Sequence, residues 1–162
     1  MKGHDWLLLI LYTCGGRAVA TRIQKIAFLL WAEHGVARDE WLFIPYKYGP
    51  WSLDVQLQLE DLVKRGLVTF REEARDKEGG EHTGKVKIYE LTKAGADAAR
   101  RLATREILRL LHLSKFLDME HWCKAGLDVL LAKIYLKYPR YTKRSILPVH
   151  QLIEKLKEFD TR

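Results

Sequence analysis

Leu59-Glu60-Asp61-Leu62-Val63-Lys64-Arg65-Gly66-Leu67-Val68 leaves one periodic segment and enters another. Tyr89-Glu90-Leu91-Thr92-Lys93-Ala94-Gly95 then leads back into a helix. The change of period between these stretches decides the fold class. Upstream, Ser52 is a side-chain N-cap for a helix over 52–65, with Val55, Leu59, Leu62 and Val63 on its apolar side. Gly66 stands at C′, where the chain takes a positive φ to turn out of the helix. Residues 67–73 alternate, Leu67, Thr69 and Arg71 against Val68 and Phe70. Residues 85–91 alternate again, with Val86 and Ile88 opposite Lys85, Lys87 and Tyr89. The charged stretch 76–84 between them holds three glycines, so the pair predicts a β-hairpin with a long tip. Thr92 caps the helix that leaves it.

Working outward, residues 4–14 read as a short, largely buried helix ended by Gly15-Gly16. Residues 17–20 form a β-compatible connector. Thr21 is the expected N-cap of a helix to His34, with Ile23, Ile26, Ala27, Leu30 and Trp31 at i, i+3, i+4, i+7 and i+8. Residues 41–48 read as extended and aromatic, with Gly49-Pro50 as the turn. From Thr92 onward the pattern is helical: one helix to about 113 or 116, one from Asp118 to Tyr138, and one from about 145 or 147 to 159. The expectation is an α+β, mostly helical fold. Its element order is that of a winged helix-turn-helix over 1–95, followed by a C-terminal helical extension over 96–162.

The chain has 162 residues and 18.9 kDa, enough for one domain or one domain with an appendage. Hydrophobic residues at 48% and charged residues at 30% exclude bulk disorder. No apolar run is longer than 6–12, which is too short for a membrane span, and no signal-peptide pattern precedes it. The expected location is the cytoplasm. A net charge of +7 and a pI near 9.4 point to an acidic partner, typically nucleic acid. The excess is asymmetric: 1–91 carries 13 Lys/Arg and 13 Asp/Glu, whereas 92–162 carries 15 and 8.

Cys14 and Cys123 lack CxxC spacing and are read as buried thiols, a disulfide requiring an oxidising or hyperthermophilic setting. The chain has no Asn and four Gln, the amide-poor composition of thermophiles. Six scattered histidines, no HExxH, no GxGxxG, no Walker loop and no GxSxG argue against an enzyme and against a cofactor or metal.

The segment from Leu59 to Val68, with Tyr89 to Gly95, resembles the third-helix-to-wing region of winged-helix transcription regulators of the MarR and PadR type. A second pairing is narrower. Arg22-Ile23-Gln24-Lys25-Ile26-Ala27-Phe28-Leu29 followed by Phe43-Ile44-Pro45-Tyr46-Lys47-Tyr48-Gly49-Pro50-Trp51-Ser52 resembles uncharacterised archaeal winged-helix proteins related to YwgA. More distantly it is similar to the SocA-like (Panacea) antitoxin domain. Tyr138-Pro139-Arg140-Tyr141 with Ser145-Ile146 resembles the tail of the archaeal group. The resemblance implies the fold and a regulatory or toxin-neutralising setting, not a reaction.

Candidate contact residues follow. In the expected recognition helix, Gln56 and Gln58 are of the type that bonds adenine, and Ser52 and Arg65 suit a phosphate. Asp54, Glu60 and Asp61 on the same helix oppose a polyanion, so a solvated or protein-docking face is the competing reading. In the wing, Arg71, Arg75, Lys77, Lys85 and Lys87 are candidate phosphate ligands, interleaved with acids as an exposed loop commonly is. Arg101, Arg105 and Arg109 at i, i+4 and i+8 form a basic stripe, either a phosphate track or a solvated face. Ala98, Ala99, Leu102, Ala103, Ile107, Leu110 and Leu111 lie opposite and suit a homodimer contact. Lys133, Lys137, Arg140, Lys143 and Arg144 interleave with Tyr135, Tyr138 and Tyr141, a stacking site or a packed corner. Trp41, Phe43, Tyr46, Tyr48 and Trp51 either close the core over Phe28 and Trp31 or line a groove. The leading expectation is a DNA-binding transcriptional regulator. The alternative is a protein-interaction module of the antitoxin or adaptor kind.

Overall fold

The computed structural model describes residues 1–74, 84–108, 110–146 and 149–160. Helix α1 (Gly3–Thr13), strand β1 (Arg17–Val19) and helix α2 (Ala20–His34) come first. A small hairpin of β2 (Ile44–Tyr46) and β3 (Gly49–Trp51) leads into α3 (Leu53–Lys64). Strands β4 (Val68–Ala74) and β5 (Lys85–Leu91) follow, then α4 (Lys93–Leu108), α5 (Leu113–Lys124), α6 (Leu127–Lys137), a 3-10 turn over Pro139–Thr142, and α7 (Val149–Asp160). The fold is α+β and mostly helical. Among the described residues no helix is long and apolar enough to cross a membrane.

Strands β1, β5 and β4 form an antiparallel sheet in that order, with Ala18 opposite Tyr89 and Phe70 opposite Tyr89 from the other side. The two quoted stretches are halves of one clasp. Gly66 takes φ 75°, and its carbonyl accepts from the Thr92 hydroxyl at 2.7 Å. The same hydroxyl accepts from the Gly95 N–H at 3.0 Å, and the Thr92 N–H reaches the Leu67 carbonyl at 3.1 Å. A Cβ at Gly95 would fall 1.9 Å from the Leu67 carbonyl oxygen, so only glycine lets α4 start this close to the strand.

Trp6, Leu7, Leu8, Leu9, Ile10 and Leu11 are all buried, because α1 is packed by α2, α3, α4 and α5 at once. One continuous cluster joins α1 and α2 to Ala99, Ala103, Met119, Trp122, Leu130, Ile134 and Tyr141, so α4, α5 and α6 pack directly on the first 95 residues, and α7 packs on α6. The side of α4 expected to dimerise is thereby covered within the chain at Ala99 and Ala103.

Several expectations are corrected. α2 starts one residue before Thr21, with Val19 as an N-cap that makes no side-chain bond. Gly49-Pro50 is strand, and Lys47-Tyr48 is the turn. Gly49 takes φ 90° against the core, where a Cβ would meet Leu131 at 2.7 Å and Lys25 at 3.3 Å. The helix leaving Thr92 stops at Leu108, and Leu110 takes φ 59°. The next helix starts at Leu113 and not at Asp118, and it ends at Lys124. Ala125 is extended and Gly126 is the N-cap of α6, and Arg22 seals the break between the two helices. Its Nη1 donates to the carbonyls of Trp122 at 2.9 Å and Ala125 at 2.7 Å, taking acceptors that a continuous helix would use itself. Cys14 and Cys123 are not free thiols: they are joined in a disulfide, with Cα atoms 5.1 Å apart.

Candidate nucleic-acid interface

Most of the side chains expected to read bases on α3 are spent inside the protein. Ser52 is fully buried; its hydroxyl accepts from the Val55 N–H at 3.3 Å. Its backbone is clamped by Gln24, which accepts from the Ser52 N–H at 2.9 Å and donates to its carbonyl at 3.0 Å. An N-cap must face its own helix, so Ser52 does not reach a phosphate. Gln58 accepts from Trp41 Nε1 at 2.9 Å and donates to Glu40 at 3.2 Å. Gln56 donates to Glu60 at 3.2 Å and to the Tyr89 hydroxyl at 3.1 Å. Arg65 is exposed but paired with Asp61 at 2.9 Å. The large exposed apolar side chains of α3 are Leu53 and Leu57, at 55% and 53%.

In the described part of the β4–β5 hairpin, two of the three candidate cations are paired with acids. Arg71 bonds Glu73 and Glu90, each at 2.9 Å, and those bonds push its guanidinium further up into the charged form. Lys85 lies 3.8 Å from Glu72. Lys87 is exposed and makes no ion pair among the described residues. Arg75 and Lys77 lie outside the described residues. On α4, Arg101 and Arg105 are exposed on one side, while Arg109 lies outside the described residues.

A different face gathers cations from two stretches of sequence that lack acids. Residues 41–53 and 129–153 contain no Asp or Glu, and between them carry Lys47, Lys133, Lys137, Arg140, Lys143 and Arg144. The fold brings these two runs together: the 3-10 turn packs on β2 and β3, and the Ile146 N–H donates to the Lys47 carbonyl at 3.0 Å. Lys137 is answered by Glu33 at 2.9 Å, which holds its ammonium charged. Lys47, Arg140, Lys143 and Arg144 are exposed, and among the described residues none forms an ion pair. Lys47 carries little signal in the sequence, being a lone cation in an aromatic run; its one mark is that the run lacks acids.

Of the aromatic residues around this face, the tyrosines of the C-terminal segment form a packed corner, and part of the connector strip stays in solvent. Tyr135 and Tyr141, at 1% and 3% exposure, are core, and Tyr138 packs edge-on to Phe28 with centroids 5.1 Å apart. Trp41 and Phe43 are buried as expected, Phe43 against Phe28 at 5.5 Å. Tyr46 and Tyr48, from the connector, remain in solvent at 39% and 40% exposure.

Beneath the hairpin lies Lys25, almost completely buried, with Nζ 3.4 Å from the Pro50 carbonyl. Burial pushes its ammonium down from 10.5 to about 7. Between those values the unfolded chain holds a proton that the native state lacks, so stability rises with pH across that window. Below about 7 the cost of a buried ammonium is present in full. Lys25→Met is therefore expected to be more stable than the parent at pH 6, by on the order of 4 kcal/mol. That advantage shrinks steadily toward pH 10, as urea unfolding at a series of pH values reads directly. A pH-independent difference would refute the assignment.

No protein-family model matches the chain, and no curated protein and no solved structure matches it either.

Proposed function

We propose that residues 1–95 form a winged helix-turn-helix and that the protein is a DNA-binding regulator held mainly by phosphate contacts. Two features support the scaffold: the order α1-β1-α2-α3-β4-β5, and the sheet order β1-β5-β4. The observation that carries the function is the group of exposed cations Lys47, Arg140, Lys143 and Arg144, none of which forms an ion pair among the described residues. Cations left without carboxylate partners suit a polyanion, and this face accounts for much of the C-terminal charge excess. With Ser52 and Gln58 spent, affinity on this reading is weakly dependent on base sequence. α3 lies between this face at its N-terminal end and the hairpin at its C-terminal end. In the regulator reading the chain pairs with a second copy, for which the exposed Leu110, Leu111, Leu113 and Leu117 offer an apolar surface.

Fluorescence anisotropy with a labelled random-sequence duplex tests the reading. Binding is expected at about 50 mM salt, with log K falling against log salt at a slope of roughly −3.6 for four phosphate contacts. No binding at that salt overturns it.

A second reading, the antitoxin or adaptor module to which the sequence resemblance also points, is favoured by α3. Leu53 and Leu57 stand exposed there, on a helix that also carries Asp54 and Glu60. It predicts one stoichiometric protein partner captured from the native host and no retention on DNA.

A further inference from the structure

Tyr46 and Tyr48 flank Lys47 at the tip of the β2–β3 hairpin. The Tyr46 ring leans on Trp51, with centroids 5.3 Å apart and planes 31° from parallel, and Lys47 Nζ lies 5.9 Å from its centroid. Trp51 is opposite Ile44 in the register, so β-sheet pairing holds the supporting ring in place. The hairpin is itself pinned from two sides, by Ile146 N–H on the Lys47 carbonyl and by Lys25 on the Pro50 carbonyl. These two aromatic rings are therefore presented on a braced turn, so little freedom remains to be lost on binding.

Charge alone does not choose between duplex and single strand, because both carry phosphates. Exposed rings do choose. A duplex hides the flat faces of its bases in its own stack, whereas an unpaired strand offers base faces and phosphates together. Tyr135, Tyr138 and Tyr141 are packed inward, so the stacking rings come from the connector and the phosphate ligands mostly from the C-terminal segment.

We infer that the β2–β3 tip is a single-strand site, where Tyr46 and Tyr48 stack unpaired bases while Lys47, Arg140, Lys143 and Arg144 hold the phosphates. The inference rests on the nucleic-acid reading above and adds to it that, where a strand is unpaired, the tip holds bases as well as phosphates. DNA and RNA strands share this chemistry, and parallel titrations with oligothymidylate and oligouridylate separate them.

The test uses the full chain and labelled strands of about 20 nucleotides beside a duplex of equal length, a span covering several single-strand sites. The parent is expected to bind one of the two single strands more tightly than the duplex. Tyr46→Leu with Tyr48→Leu should weaken strand binding roughly tenfold or more, and duplex binding less than about twofold. Tyr46→Phe with Tyr48→Phe should retain strand binding, since the ring faces and not the hydroxyls are used. Both tyrosines are exposed, and unchanged thermal melts confirm that the variants fold. Equal weakening on strand and duplex, no weakening on either, or a parent that prefers duplex would each overturn the single-strand site while leaving the broader reading intact. Failure of the parent to bind strand or duplex would remove both.

Discussion

Replacing Lys47, Arg140, Lys143 and Arg144 together by glutamine is expected to weaken duplex binding roughly a hundredfold near 0.1 M salt. It should also remove about 3.6 units from the log–log salt slope, close to 0.9 for each phosphate no longer neutralised. Competition between carboxylate and phosphate sets this expectation. A cation already bonded to a carboxylate brings that negative charge to the phosphate with it, as Arg71 does with Glu73 and Glu90. The four cations beside the β2–β3 tip bring none. A control variant replacing Arg71 and Lys85 should therefore change affinity by less than about threefold and the slope by less than about one unit. All these side chains are exposed, so thermal melts of both variants should overlay the parent. If the hairpin variant weakens as much as the four-cation variant, the interface lies on the hairpin.

The second large effect concerns stability. Cys14 ends α1 and Cys123 lies in the last turn of α5, with 109 residues of separation between them. Closing so long a loop removes conformational freedom from the unfolded chain, by about 5 kcal/mol on the chain-entropy account. Cys14→Ser with Cys123→Ser, or reduction of the parent, should lower the melting temperature by roughly 10–20 °C for a domain of this size. Thermal melts with and without reductant, with thiol counting on the unfolded protein, check it. A shift under about 3 °C, or two reactive thiols in the parent as isolated, would refute the expected stabilisation.

The fold was legible where the interactions are local. The cap at Ser52, the turn at Gly66, the alternation through β4 and β5, and the restart at Thr92 are each set within a few residues. Their boundaries in the structure differ by one residue at most from those expected. Features set from a distance were misplaced. Gly126 is only a weak local sign of a break near 125, and the group that satisfies the carbonyls freed there, Arg22, is about a hundred residues away. Gly49-Pro50 carries a turn signal, yet its glycine serves close packing under Lys25 and Leu131.

The candidate site divides in the same way. The basic clusters were visible as composition, and the sequence by itself determined that the +7 belongs to the second half of the chain. Only the tertiary structure decided which cations stay unpaired and which rings stay in solvent. Phe28 and its neighbours draw Tyr138 and Tyr141 inward, so the tyrosines beside the basic residues in sequence are not beside them at the surface. Tyr46, Lys47 and Tyr48 take that place, from a segment about ninety residues earlier. The reason is physical: periodicity and capping act along a few turns of chain, whereas burial and ion pairing depend on contacts between distant segments, which only the folded structure brings together.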